Sequence, residues 1–217
     1  MTRTGKEIGF GSERNRERNM KPTESVGESE IITVVSGLPR SGTSMMMRML
    51  EAGGIPPLTD NVREADQDNP GGYYEFEPVK QLERDNAWLA AARNKAVKVI
   101  YLLLYNLPRN QRYKVIFMRR EVEEVIASQK EMLRRRGQAG GDLSEAQLSN
   151  AYRRGVEKLD AWAQAQGNLQ LLHVNYNDVL YDSLTAVAGI ERFLERRLDT
   201  DAMIRVIDVS LHRQRCS

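Results

Sequence analysis

A run of β-branched residues that empties into a glycine-bounded loop, and then into a helical pattern, most constrains how this chain can fold. It reads Ile31-Ile-Thr-Val-Val-Ser-Gly-Leu-Pro-Arg-Ser-Gly-Thr-Ser-Met45. The apolar part, residues 31–36, has the composition of a buried strand. A strand, a Gly-x-x-x-x-Gly loop and a helix in that order aim backbone N–H groups and a helix dipole at one point, which suits a phosphate-like anion. Gly37, Gly42 and the closing hydroxyl of Ser44 match the nucleotide-cradling pattern, but Thr43 stands where an ATP-using loop carries lysine. A cation appears instead inside the loop, at Arg40. The anion site is therefore expected without the usual γ-phosphate lysine, and ATP hydrolysis is not the expected activity.

The rest of the chain alternates strand and helix signals. A helix is predicted over residues 43–52 and closed by Gly53-Gly54, with Met45, Met46, Met47 and Met49 as core packing. Residues 55–77 read as a long loop, the kind that is often functional. A helix beginning at Pro78 is predicted to run to about residue 93. Strands are predicted over 97–104, 113–118 and 169–174, and helices over 121–136, 144–167, 184–197 and 201–208. Ser144 and Gln147 have the spacing of a capping box. His173 falls inside a predicted strand and is expected in the core. This order predicts a three-layer α/β/α domain over residues 31–217, with a mainly parallel sheet of four or five strands like that of P-loop NTPases. Residues 1–30 are polar and aperiodic and read as a disordered tail, with Met20 a second candidate start.

In a parallel sheet, ligands bind beyond the carboxyl ends of the strands. The glycine loop, Arg120 and Tyr176 each follow a predicted strand and are expected on that edge. The block Tyr113-Lys-Val-Ile-Phe-Met-Arg-Arg120-Glu-Val-Glu-Glu-Val-Ile-Ala-Ser128 places an arginine at a strand end and a serine two turns into the next helix. A guanidinium and a hydroxyl so placed suit a second anionic group.

Together these motifs resemble the sulfotransferase family. Its loop typically reads Pro-Lys-Ser-Gly-Thr-Thr after a strand, and here it is Pro39-Arg40-Ser41-Gly42-Thr43-Ser44. Its second motif is a strand ending in Arg with Ser eight residues on, here Arg120 and Ser128. A weaker echo is His173-Val-Asn-Tyr176-Asn-Asp178, which looks like the family's strand-end Tyr-Glu-Asp. The resemblance spans about residues 31–195. It implies a donor, 3′-phosphoadenosine 5′-phosphosulfate (PAPS), with adenosine 3′,5′-bisphosphate (PAP) as product and no metal ion. It further implies that Arg40, Ser41, Gly42, Thr43 and Ser44 hold the 5′-phosphosulfate, that Arg120 and Ser128 hold the 3′-phosphate, and that Tyr176 approaches the adenine. Arg40 takes the family's lysine position, where it can stabilise leaving-group charge but cannot act as an acid.

A hydroxyl acceptor needs a base. Many cytosolic relatives place a histidine after the second strand in a Lys-Thr-His pattern; here the run is Lys98-Val-Ile100, so Lys98 is kept and the histidine is lost. Other branches use a glutamate from the region after the first helix. Burial beside apolar rings favours the protonated form of a carboxyl group and suits it to proton abstraction. Glu75, in Asn69-Pro-Gly-Gly-Tyr-Tyr-Glu75-Phe-Glu77, is the first choice, with Glu77 a helix N-cap alternative. Lys98 is a candidate contact to the transferring group. Arg135, Arg136 and the His212-Arg-Gln-Arg215 segment stay outside the candidate site. Residues 55–77 and 137–143 are expected to select the acceptor.

Composition bounds the alternatives. The net charge of +2 lacks the basic excess of a nucleic-acid-coating protein. No apolar run approaches the roughly 20 residues of a membrane span. A lone cysteine, Cys216, and two histidines offer little for a disulfide or zinc site, and the chain reads as cytoplasmic. Two rival readings stand beside sulfuryl transfer. One is a small-molecule kinase using ATP and magnesium; the other is an inactive relative that only binds nucleotide. Acceptor identity (sugar, lipid, phenol or peptide) and oligomeric state stay open.

Overall fold

The computed structural model describes residues 1, 31–60, 62, 65, 66, 69 and 71–211. Residues 2–30 of the expected tail, the basic His212–Arg215 segment and Cys216 lie outside the described residues. The sheet has five strands, all parallel, in the order β2-β3-β1-β4-β5. They are β1 (Ile31–Gly37), β2 (Pro57–Leu58), β3 (Ala96–Lys98), β4 (Arg112–Arg119) and β5 (Leu169–Asn175). The helices are α1 (Thr43–Ala52), α2 (Val122–Arg135), α3 (Glu145–Gln164), α4 (Tyr176–Tyr181), α5 (Ser183–Leu194) and α6 (Thr200–Arg205).

Alternation along the central strands builds two cores. Ile32 and Val34 of β1 with Tyr113, Val115 and Phe117 of β4 face α2 and α3. Val35, Ile116 and Met118 face α1, α5 and α6. Both faces of the sheet are covered, which is why β1 and β4 read as continuous apolar runs. Met46, Met47 and Met49 are fully buried under the second face, each contributing about 1.5–3 kcal/mol of transfer free energy. Met45 is half-buried: it packs against the same core and also lines a cavity.

Several elements differ from the sequence reading. The helix expected from Pro78 is two 3₁₀ turns, Glu77–Gln81 and Ala87–Ala92. Val79 and the capping Leu82 of the first turn, and Leu89 and Ala92 of the second, are buried three apart, the 3₁₀ period. Between them Asp85 accepts the Ala87 N–H at 3.0 Å, a local bond that competes with helix propagation. The strand expected over 97–104 stops at Lys98, and the apolar residues beyond form a 3₁₀ turn, Tyr101–Asn106. Periodicity cannot separate a buried strand from a buried helical turn in so short a run. Pro57–Leu58, read as loop, forms an edge strand, where the missing proline N–H is tolerated. His173 is not in the core: its side chain is 38% exposed and its Nε2 lies 2.9 Å from Asp160 Oδ1.

Other expectations match. Ser144 and Gln147 make both bonds of the capping box at the head of α3. The carboxyl ends of β1, β3, β4 and β5 all lie on one edge of the sheet.

Candidate active site

At that edge lies a cavity of about 400 Å³. Its floor is the β1–α1 loop. Gly42 caps α1 with φ 96°, and Arg40 sits at φ 67°, a left-handed conformation that costs a non-glycine residue about 1–3 kcal/mol. The first helical bond runs from Met46 N–H to Gly42 O, so the N–H groups of residues 43–45 have no helical acceptor. No side chain caps this helix start and no acidic residue lies in its first turn. Thr43, Ser44 and Met45 line the cavity, so the dipole and these donors face it.

Gly42 is required twice over. Beyond its positive φ, a Cβ there would lie 2.5 Å from Cδ2 of Tyr176. Tyr176 opens α4, directly after β5, and its ring is buried between Gly42 and Arg120, whose guanidinium carbon lies 4.6 Å from the ring centroid. Burial raises the Tyr176 phenol above its ordinary value, and the Arg120 charge opposes that shift.

The loop and the β4–α2 block meet. Arg40 Nε donates to Ser128 Oγ at 3.1 Å, and Arg120 Nη1 donates to the Arg40 carbonyl at 3.2 Å. Arg120 Nε donates to Glu124 Oε2 at 2.8 Å, and both side chains of this pair are about 95% buried. Glu124 went unnamed in the sequence reading, although its i, i+4 spacing from Arg120 is the signal for such a pair.

Ser41 departs from expectation. Its hydroxyl is buried behind the loop with no hydrogen-bond partner among the described residues, and a Cβ on Gly37 would collide with it at 2.4 Å. Its N–H donates to Leu38 O at 3.2 Å, closing the turn. The tight turn between the two glycines thus directs Ser41 inward, and the cavity wall is made by Arg40, Gly42, Thr43 and Ser44.

On the opposite wall, Lys98 at the end of β3 donates to Ser44 Oγ at 3.2 Å and to Tyr73 O at 2.9 Å. Asn69 Nδ2 also reaches Ser44 Oγ, at 2.9 Å. Glu75 lines the cavity, and its carbonyl is held by the Thr59 hydroxyl at 2.8 Å and the Asp60 N–H at 3.3 Å. Glu77 points elsewhere: its carboxylate pairs with Lys80 at 2.6 Å, and Phe76 occupies the cap position. Arg135 and Arg136, expected outside the site, line the cavity as well. The Tyr73 hydroxyl donates to Asp66 Oδ1 at 2.7 Å, and Arg136 Nη2 bonds Asp66 Oδ2 and the Tyr73 hydroxyl, both at 3.0 Å. The guanidinium pairs of Glu131 with Arg134 and Arg135 hold its carboxyl down, at about 2. The missed partners, Asn69, Tyr73 and Asp66, come from a loop whose path no local pattern dictates. Among the described residues no group of three or more His, Cys, Asp and Glu side chains is placed to hold a metal ion.

Solved structures share this architecture. The sulfotransferase STF1 from Mycobacterium tuberculosis H37Rv aligns with a TM-score of 0.54 at 20% identity, over 80% of this chain and 70% of that one. The sulfotransferase domain of the Synechococcus PCC 7002 olefin synthase aligns with a TM-score of 0.50 at 15% identity, over 84% of this chain and 79% of that one. No family model matches the sequence, and no curated protein matches it. The chain has the sulfotransferase fold. At these identities the likeness is one of fold.

No helix among the described residues is long and apolar enough to cross a membrane.

Proposed function

We propose that this protein is a sulfotransferase that moves a sulfuryl group from PAPS to a hydroxyl or amine acceptor, leaving PAP. The observation that carries the reading is the junction of the two anion-binding motifs: Arg40 of the glycine loop bonds Ser128 of α2, and Arg120 bonds the Arg40 backbone. A single nucleotide with anionic groups at both ends of its ribose suits a cavity in which both motifs lie side by side.

In this reading the N–H groups of residues 43–45, with Thr43 and Ser44, hold the 5′-phosphosulfate, with Gly42 leaving the backbone open to it. Arg120 and Ser128 bind the 3′-phosphate, and Tyr176 borders the adenosine. The acceptor oxygen attacks sulfur, the S–O bond to the 5′-phosphate breaks, and PAP leaves with the bond electrons. Arg40 stabilises charge on the departing oxygen, and Lys98 stabilises the transferring group. Glu75 takes the acceptor proton. The missing P-loop lysine at Thr43 and the absence of a carboxylate ending the strand Ile116-Phe-Met-Arg-Arg120 speak against ATP and magnesium.

The test has two parts. Calorimetry should find PAP binding tighter than ATP with magnesium, and label should pass from [³⁵S]PAPS to members of an acceptor panel. Tighter ATP binding would turn the assignment toward a kinase. PAP binding with no transfer to any acceptor would favour the inactive relative.

A further inference from the structure

Arg48 lines the cavity without an acceptor for its guanidinium Nε. It lies four residues after Ser44 on α1, so its Cα is about 6 Å further along the helix axis from the anion cradle. Its Nε is buried and has no hydrogen-bond partner among the described residues. Glu51, three residues on, accepts the Tyr74 hydroxyl at 2.5 Å. Gly71 in the facing loop leaves room for the guanidinium: a Cβ there would lie 2.3 Å from Arg48 Nη1. The other cations on this side have partners. Lys98 bonds Ser44 and Tyr73, Arg135 pairs with Glu131 at 2.9 Å, and Arg136 pairs with Asp66 at 3.0 Å.

Six cationic side chains and three carboxylates line the cavity among the described residues. Arg40 and Arg120 fall to the donor in the reading above, and Lys98, Arg135 and Arg136 are already held by protein partners. A buried guanidinium N–H without an acceptor is unfavourable. Its planar fork matches the oxygens of a carboxylate or a phosphate.

We propose that Arg48 binds an oxyanion carried by the acceptor, so that the acceptor is a carboxylated or phosphorylated hydroxyl or amine compound. This rests on the sulfotransferase reading and names the substrate class for it. Arg48 then selects the acceptor and takes no part in binding the donor.

The test is calorimetry on the full chain loaded with PAP, with three matched phenols: para-hydroxybenzoate, para-hydroxyphenyl phosphate and the neutral para-hydroxybenzamide. At least one anion is expected to bind about tenfold or more tighter than the amide, the scale of one charge-assisted contact. Which anion binds tighter separates carboxylate from phosphate acceptors. Arg48→Gln is expected to abolish the preference, Arg48→Lys to keep part of it, and PAP affinity to stay unchanged in both. Equal binding of the three phenols overturns the proposal, as does no binding of any, or a preference that survives Arg48→Gln. A matching loss of PAP affinity in Arg48→Gln also overturns it, by assigning Arg48 to the donor. Wild-type protein that fails to bind PAP would instead remove the sulfotransferase reading, a separate and recognisable result.

Discussion

The Arg40 guanidinium reaches across 88 positions of sequence to donate to the Ser128 hydroxyl at 3.1 Å, so the loop after β1 and the helix after β4 share one hydrogen bond. If the two motifs grip one nucleotide, removing either side of the clasp should weaken PAP binding. Arg120→Ala is expected to cost about 1.5–3 kcal/mol, roughly 10- to 150-fold in Kd, and Ser128→Ala about 0.5–1.5 kcal/mol. The effects of Arg40→Ala and Ser128→Ala should not add, because the residues are partners. Calorimetry on the single and double variants checks this; unaltered Kd in Arg120→Ala would dismiss the clasp.

Gly42→Ala introduces a Cβ at φ 96° and 2.5 Å from the Tyr176 ring. A destabilisation of at least about 1 kcal/mol is expected, with Tm falling by about 2 °C or more. PAP affinity should fall with it, since the Tyr176 ring must shift. Scanning calorimetry with and without PAP measures both effects.

Glu124→Ala leaves the buried Arg120 guanidinium without its carboxylate. Breaking one side of a buried pair costs about 3–5 kcal/mol, so the urea midpoint should drop sharply. A midpoint within error of wild type would mean that Arg120 finds another anchor.

Glu75→Gln keeps the shape of the side chain and removes its basicity. The rate of sulfuryl transfer to a hydroxyl acceptor should fall by about 10²- to 10⁴-fold while PAP affinity holds. An unchanged rate would pass the role of base to another group and leave the transferase reading intact.

His173 carries a pH dependence of known sign. Burial lowers its pKa below the ordinary 6.5, with Asp160 opposing the shift. Folding therefore favours the neutral ring. The stability so gained is fully present above about pH 6.5 and is lost as pH falls through the lower native value. The effect should be small, because the side chain is partly exposed. Proton NMR should place the His173 titration below 6.5, and His173→Gln should make the acid limb of stability shallower.

Legibility followed the range of the interactions. The β1–loop–α1 unit could be read because strand, turn and helix start are coded within 15 consecutive residues, through β-branching, two glycines and a hydroxyl. Arg120 and Ser128 were legible for the same reason, one strand end and two helical turns. The 77–106 region was misread because short apolar runs carry no period that separates strand, helix and 3₁₀ turn. There the choice fell to packing against the first core. The apolar neighbours of His173 suggest a core position, but β5 turns that side chain outward to Asp160.

Local patterning thus settles where the glycine loop and the arginine–hydroxyl pair lie along the chain, because backbone conformation and alternation are short-range properties. It does not settle that Arg40 meets Ser128, that Tyr176 packs between Gly42 and Arg120, or that Arg48 lines the same cavity as Lys98. Those contacts join residues on separate elements, and they exist only once the parallel sheet has brought its strand ends to a common edge.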